Sequence, residues 1–180
     1  MVSLDRRAAA SFKEKNKPDS QAAYTLFGQL FQQVNKVDPG KLRNEKQPLN
    51  VEFRGEYGDD VGGLFRETYT EIAKEIESPL LPLFVLSPNG RNDVGKNRDV
   101  FVPNPTSTTP ACIAMFEFLG KLMGIAIRSQ TPLAINVAES FWKRLVGLEV
   151  TVDDVVAVDQ EFANRVATIL DSGKKEDEEM

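Results

Sequence analysis

Val2 and Leu4 alternate with polar neighbours, and Asn50-Val51-Glu52-Phe53-Arg54 repeats that alternation, the period-2 pattern of a half-buried strand. Gly55 marks the end of the second run. From Leu64 the period lengthens. Phe65, Tyr69, Ile72, Ala73 and Ile76 line one face of a helix, while Glu67, Glu71, Lys74 and Glu75 fall elsewhere. Between the two strand patterns lie a basic run (Arg6, Arg7, Lys13, Lys15, Lys17) and Pro18-Asp19-Ser20, read as a break and helix cap. Tyr24, Phe27, Leu30, Phe31 and Val34 then form a helical stripe from Gln21 to Asn35, stopped by Asp38-Pro39-Gly40.

After Ser78-Pro79 ends the helix, Leu80 to Leu86 reads as an irregular segment with a short strand at its end, and Ser87 to Asp99 as a turn-rich loop. Val100-Phe101-Val102 is a further strand. Thr109-Pro110 caps a helix, ACIAMFEFLGKLMGIAIRS, that is apolar on most of its circumference and is expected at the centre of the core, with Gly120 and Gly124 permitting a close crossing. Asn136 with Glu139 suggests a capping box for a helix carrying Val137, Phe141, Leu145 and Leu148. Thr151 is expected to cap a last helix whose buried face holds Val155, Val158, Phe162, Val166, Ile169 and Leu170. The pattern therefore predicts a mainly α domain with a few short β-strands over residues 1–170, and a disordered acidic tail over 171–180.

Length and composition narrow this. With 180 residues, 41% of them hydrophobic, the chain suits one domain. The net charge of −5 hides an uneven distribution: residues 1–50 hold nine Lys/Arg against five Asp/Glu, and 51–100 hold six against ten. That balance gives little support to nucleic-acid binding. One cysteine and no histidine exclude an intramolecular disulfide, a cysteine-rich zinc site and every Ser-His or Cys-His constellation, and fit a reducing intracellular compartment, taken as cytoplasmic. The longest apolar run, Ala111 to Ile127, contains Glu117 and Lys121 and reads as too short and too charged to span a bilayer, so no membrane partner is expected.

Candidate chemistry is sparse. Glu56, Asp59, Asp60 and Glu67 could supply paired carboxylates for acid–base work or oxygen ligands for a divalent cation, or they could simply favour the positive end of the helix that follows. The spacing matches no calcium loop. Gly62-Gly63 lacks the Lys-Ser/Thr of a phosphate cradle, and Gly63 is expected in a glycine-only conformation or a close contact, with Gly63→Val destabilising by about 1–3 kcal/mol. Cys112 has apolar neighbours and no histidine base, which reads as core packing. Arg91, Lys96 and Arg98 could meet an acidic partner or form a solvated loop. No cofactor or metal is expected.

VEFRGEYGDDVGGLFRETY resembles the N-terminal lobe of HECT-type ubiquitin ligases at Gly55, Glu56, Gly58, Asp60, Gly62, Gly63, Arg66 and Glu67. LPLFVLSPNG, NRDVFVPNP, FEFLGKLMGIAI, PLAINVAESFWKRLVG and VTVDDVVAVDQEFANRVATIL follow in the family's order. SPNGRNDVGKNRD with Ile127-Arg128 most resembles the large ligases that also carry chromosome-condensation-regulator-type propeller repeats. The resemblance implies the larger helical subdomain of a HECT N-terminal lobe. It also implies a conjugating enzyme, ubiquitin and protein substrates as partners of the complete domain, with the conjugating-enzyme docking subdomain and the catalytic cysteine outside this segment, Cys112 structural and the segment alone inactive. A non-enzymatic interaction module is the alternative.

Overall fold

The computed structural model describes residues 1–43, 49–56 and 62–178, with side chains described as far as Ile169 in the last helix. The two alternating runs become β1 (Val2–Leu4) and β2 (Val51–Phe53), paired in parallel with Val2 opposite Val51 and Leu4 opposite Phe53. Only three residues long each, they depend on helices for burial. Among the described residues the architecture is mainly α with short strands, and the chain divides into two compact units: Met1–Val85 with Asn104–Ile135, and Leu86–Pro103 with Asn136–Met180.

In the first unit the basic run is a helix, α1 (Arg6–Lys13), which hydrophobic periodicity did not reveal because only Ala9 of it is buried. Its start is local chemistry: Asp5 accepts the Ala8 N–H. Helix α2 is Leu26–Val34, capped by Thr25, so it begins later than the stripe suggested and leaves Tyr24 exposed against Phe12. Helix α3 (Gly63–Ile76) buries Phe65, Tyr69, Ile72, Ala73 and Ile76, the face expected from its spacing. The chain then passes through β3 (Phe84–Leu86) and into the second unit.

Helix α5 (Pro110–Ser129) returns to the first unit, capped by Thr109 with Pro110 at its first position. It buries Met115, Phe118, Leu119 and Leu122 there, and Phe118 meets Phe27 and Phe31 edge to face. Tyr69 Oη donates to the Leu122 carbonyl, and Lys121 Nζ donates to the Asn35 carbonyl and side chain beyond the end of α2. At 20 residues α5 is long and apolar enough to cross a membrane, longer than the run counted in the sequence. Its packed face is that of a core helix. On its other face Gly120 and Gly124 have no described residue within 4 Å of an added Cβ, so among the described residues they do not permit a close crossing as expected.

The second unit contains α4 (Pro88–Asn92), β4 (Phe101–Pro103), α6 (Glu139–Leu145), α7 (Val152–Val156) and α8 (Gln160–Glu178). Where the sequence suggested a plain loop, Ser87 caps α4 through the Gly90 N–H, and Asn89, 1% exposed, anchors the loop and the last helix together. Asn89 Nδ2 donates to the Lys96 and Ala157 carbonyls, and its Oδ1 accepts the Gln160 N–H. Asn136 does not cap α6; it donates to Asp99, and the strand-like bridge Phe101 to Val137 sits beside it. The capping box lies instead at Thr151 and Asp154 on α7. Lys143 Nζ, 2.7 Å from Asp154, holds that carboxyl below its usual range. The expected single last helix is interrupted at Ala157–Asp159. Its backbone continues as α8 to Glu178, into the segment read as a disordered tail, because Lys and Glu are good helix formers that need no buried face. Phe162, Val166 and Ile169, expected buried, are 53, 36 and 70% exposed.

Candidate functional site

The acidic junction between β2 and α3 lies in the first unit. Asp60, with Gly58 and Asp59, falls outside the described residues, so the site is built from the two ends of the turn. Gly55 leaves β2 with φ +75° and Gly62 enters α3 with φ +97°, left-handed values that cost other L-residues about 1–2 kcal/mol. Gly63 has no such conformation. It is the first residue of α3, with no described residue within 4 Å of an added Cβ, so the glycine-only conformation belongs to Gly62 and only a small effect of Gly63→Val is expected.

Among the described residues, neither Glu56 nor Glu67 caps the helix. Gly62 provides α3 with no side-chain cap, and Glu56 turns to Arg6 of α1: Arg6 Nε donates to Glu56 Oε1 at 3.1 Å and Nη2 to Oε2 at 2.5 Å. Arg6 Nη1 donates to Glu67 Oε1 at 2.5 Å. The guanidinium carbon sits 3.8 Å over the Phe53 ring. One planar cation therefore ties the exit of β2, the second turn of α3 and the start of α1, a use suited to the rigid fork and flat face of arginine. Burial works against the charged guanidinium, and the two carboxylates more than offset it, raising its pKa. With both carboxylates about 40% exposed or more, the ion pairs contribute roughly 0–1 kcal/mol each. Arg66, the remaining motif residue, is exposed on α3.

This arrangement suits clasping better than catalysis. Glu56 and Glu67 are engaged by a cation, and among the described residues no group of three or more metal-ligating side chains occurs. Arg6 was hidden in a basic run whose partner carboxylates lie 50 and 61 residues away.

Beside the clasp is a cleft of about 300 Å³ lined in part by Arg6, Lys13, Glu71, Lys74 and Glu75. Glu75, which the helical pattern placed merely off the apolar face, receives the Leu26 and Phe27 N–H groups at 2.8 and 2.7 Å and so caps α2 from α3. Burial pushes its carboxyl up to about 7 against those two bonds, and the charges of Asp19 and Glu71 add to the rise. A folded pKa above the usual 4.5 means the fold favours the protonated form. Its contribution is thus fully present below about pH 4.5 and lost as pH rises through about 7. Subtracting the urea-unfolding free energy of Glu75→Gln from that of the wild type should give a difference that falls by on the order of 2 kcal/mol between pH 5 and 8; a pH-independent difference would refute this.

Cys112 lies in the first turn of α5, 6% exposed, with Thr109 Oγ1 3.1 Å from its sulfur. In the second unit, Arg98 of the basic loop pairs with Asp93 at 2.7 Å on the surface.

Sequence comparison agrees with the resemblance: residues 70–180 match the model of the HECT domain (ubiquitin-transferase), and the chain belongs to that family, with which its mainly α architecture and short strands are consistent. It is 39% identical over 148 residues to the E3 ubiquitin-protein ligase HERC2 of Mus musculus and 38% identical to that of Homo sapiens, covering 82% of this chain and 3% of each relative. These matches agree with the resemblance to the propeller-repeat subgroup. It is also 31% identical over 149 residues to the E3 ubiquitin-protein ligase HACE1 of Bos taurus, covering 82% of this chain and 15% of that protein. The chain thus spans a small fraction of the length of these relatives.

Proposed function

We propose that residues 1–170 form a partial HECT domain, the larger subdomain of its N-terminal lobe, and that this segment scaffolds the ubiquitin-transfer machinery of an intracellular, cytoplasmic ubiquitin ligase. In the complete domain, a cysteine thiolate outside this segment attacks the thioester carbonyl of ubiquitin carried by the conjugating enzyme, whose own thiolate leaves. A substrate lysine amine then attacks the new thioester and releases the cysteine, splitting one acyl transfer into two steps. The conjugating enzyme, ubiquitin and protein substrates are the partners on this reading. It is supported above all by the family match together with the burial of Cys112 in a chain that has no histidine to act as its base.

The test is reconstitution. Incubated with ubiquitin, activating enzyme, conjugating enzyme and ATP, the 180-residue chain should acquire no thiol-labile ubiquitin adduct. An adduct that vanishes in Cys112→Ser would overturn the scaffold assignment.

A further inference from the structure

The outer edge of β1 is closed by side chains. In the parallel pairing, Val2 and Leu4 direct their backbone groups to β2: Val2 N–H donates to the Asn50 carbonyl, and the Leu4 carbonyl accepts the Arg54 N–H. The groups of Ser3, and of Asp5 beyond the strand end, therefore face the opposite edge. That edge is open to another strand in a two-stranded sheet. Here two glutamines of α2 occupy it. Gln33 accepts the Ser3 N–H at 3.1 Å and donates to the Ser3 carbonyl at 2.9 Å. Gln29 accepts the Asp5 N–H at 2.7 Å and donates to the Asp5 carbonyl at 3.0 Å. Each primary amide reproduces the paired donor and acceptor that a neighbouring strand would offer. The spacings match as well: four helical residues rise about 6 Å, and two strand residues span about 6.6 Å. A groove of about 340 Å³, lined in part by Ser3, Asp5, Tyr24, Gln32 and Arg54, runs beside this edge and provides room for extended chain.

We infer that Gln29 and Gln33 act as a guard on the β1 edge, denying it to an extended segment from a second copy of this chain. A guard of this kind works because amide side chains saturate the edge without supplying a further edge of their own, whereas an added strand would present one to the next molecule.

The double variant Gln29→Ala/Gln33→Ala tests it. Amide hydrogen exchange at Ser3 and Asp5 should accelerate at least tenfold, and sedimentation should show concentration-dependent association beyond that of the wild type. Adding Ser3→Pro, which removes the outward donor of the strand itself, leaving that of Asp5 beyond its end, while sparing the bonds to β2, should return the association to the wild-type level. A double variant that is folded by circular dichroism yet sediments as the wild type does would overturn the inference, and so would association that Ser3→Pro leaves intact. Gln33 is exposed, so Gln33→Ala alone is the measurement to use if the double variant unfolds; there, unchanged sedimentation overturns the guard and increased association supports it.

Discussion

Asp19→Ala is expected to destabilise the first unit by about 3–5 kcal/mol, because several donors lose a shared acceptor and each buried one left unsatisfied costs about 1–3 kcal/mol. Asp19 is 2% exposed and accepts four hydrogen bonds: from the Ala23, Tyr24 and Thr25 N–H groups and the Thr25 hydroxyl, all between 2.8 and 2.9 Å. Alanine would leave those donors without their acceptor, the two of Thr25 in a buried place that water does not readily reach. The space around them is tight, since a Cβ on Gly28 would fall 2.5 Å from the Ala22 carbonyl carbon and 2.8 Å from Asp19 Oδ2. Thr25 in turn caps α2, so the loss would extend to the helix that buries Phe27 and Leu30. Urea unfolding followed by circular dichroism checks this, with Asp38→Ala as the comparison, because exposed Asp38 accepts the Gly40 N–H two residues on in a local turn. Equal effects of the two substitutions would refute the argument.

What could be read in the sequence divides along the range of the interactions involved. The burial of Phe65, Tyr69, Ile72, Ala73 and Ile76 and the caps at Thr109 and Thr151 depend on residues a few positions apart, and local spacing reports them. Arg6, Gln29, Gln33 and Glu75 act on partners between 24 and 61 residues distant, so no window of sequence contains both halves. Periodicity also says that a face is apolar without saying what covers it: Phe162, Val166 and Ile169 keep perfect helical spacing and remain exposed. The acidic turn shows the same division. Its residues carry the resemblance to the family, but the role of Glu56 and Glu67 depends on an arginine on another helix, and φ places the special glycine one residue earlier, at Gly62.

Gly90→Val should destabilise the second unit by about 3 kcal/mol or more, the upper end of what overpacking costs. A Cβ on Gly90 would collide with the Arg98 carbonyl oxygen and lie 2.7 Å from Leu86 Cγ. The loop carrying Arg98 has little freedom to yield, since the Ser87 hydroxyl donates to the Asn97 carbonyl, and Asn89 Nδ2 to that of Lys96. Displacing α4 instead would pull Asn89 from the Gln160 N–H and the Val158 carbonyl, loosening the start of α8. Either route sacrifices bonds made by groups that are 0–1% exposed. Trp142, whose indole N–H donates to the Val137 carbonyl within this unit, reports its unfolding by fluorescence. Gly63→Val, followed by circular dichroism because it lies in the first unit, is the matched control: the same added atoms at a helix start with no described residue within 4 Å should change stability by no more than about 0.5 kcal/mol. Midpoints for Gly90→Val and Gly63→Val that shift alike would show that the close approach of Gly90 to Arg98 does not constrain the unit.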